Sequence, residues 1–384
     1  MRELIVVDVS DPQALVEPLR QALFEGKAAV LPRPGGAKLT ATAPLEVPDE
    51  VSVVIETSGT TGAPKRVALS AGAVLASAEA AVAALGGPGQ WLGVLPVHYI
   101  AGLQVITRSL VSGTTPLWLH PQPFSTVAMA TAWNELQDKA AGSPLFTAMV
   151  PAQLQRILDD AQNMPVLDDM MRSFSRILVG GQAIPHEVLE RSEERSYRVT
   201  KTYGSAETAG GCVWDNVAIG DVVVREMEGR LALSGSVLAH SYLDNPSRTE
   251  ASFRTIEGVR WYFSDDAGSV EDNGLVTVRG RLDDVIISGG VKVVLGAVES
   301  ILHNQLGVSD AVVVGVSHDQ WGHVPVVVTT KAPDLVATRL AVQKALGPEA
   351  RPDRILRVPE IPLLGSGKPD RLELTRWAEK GAHR

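Results

Sequence analysis

Residues 57 to 65 read Thr57-Ser58-Gly59-Thr60-Thr61-Gly62-Ala63-Pro64-Lys65, directly after the apolar run Val51-Ser52-Val53-Val54-Ile55. A β-branched run bounded by Pro48 and Gly59 predicts a buried strand, so the loop must turn at the end of a sheet. Gly59 and Gly62 let the backbone approach a ligand with no Cβ in the way. Ser58, Thr60 and Thr61 set hydroxyls beside backbone N–H groups, and such a concave set of donors suits phosphate oxygens. Lys65 closes the loop with a mobile point charge. No Gly-Lys-Ser/Thr follows, so the spacing is not that of a Walker loop. Most Gly/Ser/Thr clusters are solvated turns, and the remaining stretches must carry the weight.

The bulk numbers narrow the class. A chain of 384 residues is long enough for two domains, and 45% hydrophobic with 21% charged residues is ordinary for a soluble enzyme. A net charge of −9 argues against a nucleic-acid binder, whose footprint would be basic. The single cysteine, Cys212, excludes an internal disulfide and fits a reducing compartment. The N-terminus lacks a charged segment followed by an apolar stretch and a cleavage site. Val67 to Leu85 is alanine-rich and interrupted by Ser70, Ser77 and Glu79, which predicts a packed helix rather than a membrane span. The expectation is a soluble cytoplasmic protein without nucleic-acid or membrane partners; the sequence leaves a homo-oligomer open.

Residues 1–50 suggest a short strand, a helix near Asp11 to Glu25 and a Pro/Gly-rich connection. From 51 to about 280, apolar runs such as Trp91–Leu95, Pro116–Leu119, Leu145–Val150 and Arg176–Val179 alternate with helical stretches, which predicts a layered α/β domain. Beyond the polar turn Gly280-Arg281-Leu282-Asp283-Asp284 the pattern is smaller: Ala311–Val316, Val324–Thr330, a helix over Leu335–Leu346, and Arg354–Val358. The predicted fold class is α/β, with a large layered N-terminal domain over 1–282 and a small α+β C-terminal domain over 283–384.

Several stretches carry chemistry. His98-Tyr99 lies in an apolar segment, where a histidine is usually a hydrogen-bonded core residue. Arg108 is the one charged residue between Trp91 and Leu119. In a helix it would share a face with Ala101, Gln104 and Val105. A guanidinium there either snorkels, pairs with a protein carboxylate, or clamps a carboxylate of a ligand. Gly180-Gly181-Gln182 follows an apolar run, and its glycines allow close approach of a flat ring. Tyr203-Gly204-Ser205-Ala206-Glu207 sets an aromatic ring, a turn glycine and a carboxylate within five residues, enough to stack a base and hold magnesium near phosphates. Asp265-Asp266 and the late glycine-rich Leu364-Gly365-Ser366-Gly367-Lys368 complete the set; taken singly, they read as a solvated turn and a tail charge.

In this order the stretches resemble those of the adenylate-forming superfamily: acyl-CoA synthetases, luciferases and peptide-synthetase adenylation domains. The resemblance implies that Thr57, Ser58, Gly59, Thr60, Thr61, Gly62 and Lys65 hold the phosphates of ATP. It implies that Gly181, Gln182, Tyr203, Gly204 and Ser205 line the adenine side, and that Asp266 and Arg281 hold the ribose. Glu207 would bind Mg2+, and Lys368 would bridge carboxylate and phosphate. Asp283 would be the hinge of a mobile C-terminal domain, and Ser288–Lys292 would line the path of coenzyme A. Two positions depart from the pattern: Ala206 replaces a threonine, leaving Ser205 or Thr208 to supply a hydroxyl, and Asp265 replaces a glycine. Residues 1–50 are a trimmed version of a longer family segment.

Ala209-Gly210-Gly211-Cys212-Val213-Trp214-Asp215 looks like actinobacterial o-succinylbenzoate–CoA ligases, in which Cys212 would be a packed residue. On that resemblance His98 and Tyr99 border the acyl pocket and Arg108 binds the aryl carboxylate. The implied activity is an acid–thiol ligation in the menaquinone pathway, through an acyl-adenylate, using ATP, Mg2+ and coenzyme A as co-substrate. The alternatives are a CoA ligase for another small aryl or dicarboxylic acid, and a non-catalytic nucleotide-binding regulator.

Overall fold

The computed structural model describes residues 1–35, 46–57, 65–119, 124–282, 284–365 and 367–381. Ser58, Gly59, Thr60, Thr61, Gly62 and Asp283 lie outside the described residues. The large domain is built on two sheets. The first runs, in spatial order, Ser241–Tyr242, Lys65–Ser70, Val51–Thr57, Ala29–Arg33, Arg2–Asp8, Glu46–Val47. The second runs Val217–Ala218, Gly210–Trp214, Val199–Ser205, Arg176–Gly180, Leu145–Met149, Gln90–Gly93, Leu117–Trp118. Helices Val16–Phe24, Ala71–Ala84 and Ile100–Val111 pack on one another and touch strands of both sheets, so one apolar core is continuous from sheet to helix to sheet.

The expected strand at 51–55 is present as Val51–Thr57, with its first five residues buried. The expected helix from Val67 is shorter. Lys65–Ser70 is a strand that folds back antiparallel on Val51–Thr57, pairing Thr57 with Lys65, and the helix begins at Ala71. The break is set by Ser70, whose hydroxyl accepts the backbone N–H of Ala73 at 3.1 Å and caps the helix. Ile100–Val111 is enclosed over nearly its whole circumference, which explains its apolar composition. Gly102 is required in it: a Cβ would lie 2.2 Å from the Pro96 carbonyl oxygen.

The alternation of strand and helix ends near Ser205, short of the expected 280. Val223–Met227 with Arg230–Ser234, Phe253–Ile256 with Val259–Phe263, and Asp266–Val270 with Val276–Arg281 are antiparallel hairpins. Their strands are four to six residues long and turn through positive-φ residues such as Glu228, Gly229, Glu257 and Gly258, too short a repeat for the apolar pattern to register.

The last part of the chain forms a second sheet-and-helix unit. Val291–Val294, Val285–Ser288, Gly322–Thr329 and Val312–His318 lie side by side, and Arg354–Arg357 adds parallel to Gly322–Thr329. Helices Leu295–Gln305, Leu335–Leu346 and Arg371–Gly381 cover this sheet, and its two apolar clusters are separate from the core of the large domain. Among the described residues, no helix is long and apolar enough to cross a membrane.

Candidate active site

The hairpin of Val51–Thr57 and Lys65–Ser70 within the first sheet brings Thr57 and Lys65, the two ends of the phosphate-loop candidate, opposite each other. Lys65 is half-buried, and burial lowers its pKa, with Arg248 the next cause. Next in the hairpin, Glu56 receives Arg33 at 2.6 Å and Arg66 at 3.1 Å, a buried network that stiffens the strand.

The second sheet supplies the opposite wall. Val199–Ser205 carries Tyr203, whose hydroxyl donates to Asp266 Oδ2 at 2.7 Å. Burial, reinforced by Asp266, holds the Tyr203 phenol well above its ordinary pKa, so it stays a donor. Asp266 also faces Arg281 Nη1 at 3.6 Å. Asp266, not Asp265, is therefore the carboxylate turned toward Tyr203. Gly181 (φ +83°) follows the strand Arg176–Gly180, and a Cβ there would lie 3.7 Å from Lys368 Cε.

Glu207 sits in the short helical turn Ala206–Thr208, 8% exposed, and accepts the Tyr242 hydroxyl at 2.8 Å. Among the described residues no cluster of three His, Cys, Asp or Glu side chains could hold a metal by itself. That suits Mg2+, which takes one or two protein carboxylates and fills its octahedron with phosphate and water. Thr208 is spoken for: its hydroxyl accepts the Ser205 N–H at 2.9 Å and lies 2.9 Å from the Gly210 carbonyl. The Ser205 hydroxyl is enclosed and has no partner among the described residues.

The far end of the chain reaches this cleft. The Leu363–Pro369 bridge closes a loop in which the Leu364 N–H donates to the Lys368 carbonyl at 2.7 Å. Gly367 (φ +78°) presses on Val150, and its carbonyl accepts Gln182 Nε2 at 3.1 Å. Arg371, next after the loop, is tied to Glu299 and the Val313 carbonyl, which fixes the loop to its own domain. Lys368 is thereby inserted beside Gly181, deep enough that burial, with Arg281 next, lowers its pKa. A second tie between the domains is Lys331 to Glu187 at 3.7 Å.

The remaining candidates lie along helix Ile100–Val111. Tyr99 precedes it and points its hydroxyl at Gly365 of the lysine loop; a Cβ on that glycine would lie 3.5 Å away. His98 is tilted against Tyr99 with ring centroids 4.1 Å apart, and burial lowers its pKa. Arg108 lies in the last turn, 4% exposed, its guanidinium 5.2 Å from the centre of the Trp91 ring. Neither of the ordinary explanations holds for it. It does not snorkel, and among the described residues no carboxylate pairs with it. Its Nε has no partner, and burial drops its pKa to about 10. Gln104, one turn earlier, anchors the helix instead, donating to the carbonyls of Val74 and Ala209. Cys212 is buried, its thiol pushed up to about 12 by that burial, which leaves it a packing residue.

Sequence reasoning missed two of the three arginines that gather in this cleft. Arg230, Arg248 and Arg281 stand 3.9, 3.6 and 3.6 Å from Asp265, and only Arg281 was singled out. Arg230 and Arg248 come from separate hairpin and helix elements, so no local spacing marks them.

A large domain with Lys65 at one wall of its cleft, and a small sheet-and-helix unit that lodges Lys368 beside Gly181, are the features the class must account for. The comparisons name that class. The AMP-binding enzyme family matches residues 4–239, and the AMP-binding enzyme C-terminal domain matches 297–368. The chain belongs to the AMP-binding enzyme family. It is 35% identical over 340 residues to a probable 2-succinylbenzoate–CoA ligase of Mycobacterium tuberculosis, covering 86% of this chain and 85% of the relative. It is 29% identical over 391 residues to a 2-succinylbenzoate–CoA ligase of Geobacillus kaustophilus, covering 94% and 75%. Among solved structures, o-succinylbenzoate CoA synthetase from Bacillus subtilis with its acyl-adenylate superposes with a TM-score of 0.73 at 22% identity, over 97% of this chain and 88% of that one. An amide bond synthetase from Marinactinospora thermotolerans reaches 0.74 at 23% identity, over 98% and 80%, so the fold by itself does not choose the acid.

Proposed function

We propose that this chain is an ATP-dependent o-succinylbenzoate–CoA ligase that works in two half-reactions. The observation that carries the ligase chemistry is Lys368, an amine from the small domain lodged beside Gly181 and held through Gln182 and Gly367. What favours this acid is Arg108, a buried cation for which the protein supplies an aromatic face and no counter-charge. The names of the relatives point the same way.

In the first step a substrate carboxylate oxygen attacks the α-phosphorus of ATP, the bond to the β-phosphate oxygen breaks, and pyrophosphate leaves with the electron pair. The chain contributes position and charge rather than an acid or base. Asp266 and Arg281 fix the ribose, Tyr203 the adenine side, and Thr57, Lys65 and the loop between them the phosphates. Lys368 places an ammonium between carboxylate and α-phosphate. Glu207 would hold Mg2+, which would supply positive charge beside the departing pyrophosphate. Ser205 supplies the hydroxyl that Ala206 lacks, since Thr208 has none to spare.

The substrate lies along helix Ile100–Val111. Tyr99 and Arg108 are nine residues apart, about 13 Å at 1.5 Å per residue, and a helical side chain leans back toward the N-terminus. That leaves room for a small acid with one carboxylate at the lysine and the other at the guanidinium. We place the domain boundary at 282/283. In the second step the small domain turns about Asp283, the Gln182 and Glu187 ties part, and Ser288–Lys292 takes the place of the lysine loop. The coenzyme A thiol attacks the acyl carbonyl, and AMP departs.

The test is purified protein with ATP, Mg2+, coenzyme A and a panel of acids. o-Succinylbenzoate should give the highest kcat/KM, with one pyrophosphate and one AMP per thioester. A different aryl acid leading the panel would displace the substrate, and no pyrophosphate with any acid would remove the ligase reading.

A further inference from the structure

Three guanidiniums gather on Asp265: Arg248 and Arg281 at 3.6 Å and Arg230 at 3.9 Å. One carboxylate does not need three arginines. Arg281 also answers Asp266. Around the cleft, Lys65, Arg230, Arg248, Arg281 and Lys368 face Glu207, Asp265 and Asp266, an excess of positive charge among the described residues.

Arg248 is the arginine best placed to use that excess. Its backbone is fixed by helix Pro246–Ser252, whose cap residue Asn245 accepts the Arg248 N–H at 3.0 Å. That helix follows Ser241–Tyr242, a strand paired with Val67 and Ala68 on the arm that begins at Lys65. Its guanidinium lies 5.0 Å from the centre of the Tyr242 ring, and the Tyr242 hydroxyl is bound to Glu207. Its Nε is enclosed without a partner among the described residues. Tyr242 thus sits between Arg248 and the expected Mg2+ carboxylate, and Lys65 at the phosphate-loop mouth is near enough for Arg248 to be the leading charge acting on it. Adenine and ribose are already provided for by Tyr203 and Asp266.

We propose that Arg248 binds the β- and γ-phosphates of ATP and holds the pyrophosphate as it departs, with Asp265 as its ground-state partner. The inference rests on the ligase reading above. It adds a residue to that reading: the Asp265 carboxylate keeps the Arg248 guanidinium aligned until a polyphosphate competes for it.

The experiment compares Arg248→Ala, Arg248→Gln and Arg248→Lys in the full chain, titrating ATP and AMP separately and measuring pyrophosphate–ATP exchange with o-succinylbenzoate. A lost charge-assisted contact corresponds to about 10- to 100-fold. The Ala and Gln variants should bind ATP weaker by that factor and raise the KM for pyrophosphate in parallel, while AMP binding stays within about twofold. Gln keeps the bulk over Tyr242, so it serves if Ala does not fold, and Lys should recover part of the ATP affinity. ATP and AMP weakened alike would make Arg248 a structural residue and overturn the proposal, as would unchanged ATP affinity. Wild-type protein that makes no pyrophosphate with any acid would instead overturn the ligase reading, a separate outcome.

Discussion

The two ends of the cleft treat charge in opposite ways. At the nucleotide end each carboxylate is answered: Asp266 by Tyr203 and Arg281, Asp265 by three arginines, Glu207 by a tyrosine hydroxyl. At the acyl end Arg108 is buried against Trp91 with no carboxylate beside it among the described residues. Burying a cation costs free energy unless a partner and hydrogen bonds repay it. A network that is complete in itself holds shape; an unanswered buried charge is complete only when a ligand brings the missing sign. The carboxylates of the nucleotide wall are answered from within the chain, whereas on the reading proposed above Arg108 waits for the substrate to bring the missing sign.

The largest effect should come from the residue that joins the two ends. Lys368→Ala should slow acyl-adenylate formation by ~10²–10³-fold, the scale for removing one positioned donor from a developing charge. Thioester formation from supplied acyl-adenylate should be nearly untouched, because the lysine has left by then; equal loss in both half-reactions would contradict that division. The pH dependence follows from burial. With its pKa lowered, Lys368 loses its proton at a lower pH than a free lysine, so adenylation should fall on the alkaline side through a midpoint below the usual lysine range. Lys368→Arg, which stays charged, should lack that limb.

Arg108→Met sharpens the contrast most directly. It should raise KM for o-succinylbenzoate by about 10- to 100-fold, the equivalent of a charged hydrogen bond, and leave a monocarboxylic analogue within about twofold. It should also raise the melting temperature of the ligand-free protein, since it removes an uncompensated buried cation of similar volume. A lower melting temperature with both acids equally impaired would mean that Arg108 is a packing residue, and the comparison between the two ends would collapse.

How much of this was legible beforehand depends on the range of the interaction. The strand 51–57, the helix 335–346 and the motifs at 203–207 and 364–368 are local, and spacing with residue type was enough to find them. Arg108 stood out because charge is rare in an apolar helix, yet its lack of a counter-ion depends on everything packed around it. The hairpins between 223 and 281 escaped because four- to six-residue strands leave no periodicity to read. Arg230 and Arg248 escaped for a different reason: they meet Asp265 across 35 and 17 residues of chain, and only the fold joins them. Where the helix after the phosphate loop begins was misread for want of one cap, Ser70.

The smallest effect tests whether the nucleotide wall is as complete as it looks. Ser205, like the Nε of Arg248, is an exception: an enclosed hydroxyl without a partner among the described residues, adjacent to Ala206. If its partner is the α-phosphate or the reacting carboxylate, Ser205→Ala should slow adenylation by about 2- to 10-fold, the range for one neutral hydrogen bond, with little change in thioester formation. Ala206→Ser restores a hydroxyl one residue along, so the double variant should recover most of the loss while Ala206→Ser alone changes little. Thr208 offers the control within the same turn. Its hydroxyl is committed to the backbone, so Thr208→Val should lower the melting temperature by leaving the Ser205 N–H and Gly210 carbonyl short of a partner. Should Ser205→Ala leave adenylation unchanged, the missing threonine would have no substitute here. The exception would then be an empty place in the wall, not a second point, like Arg108, that awaits the ligand.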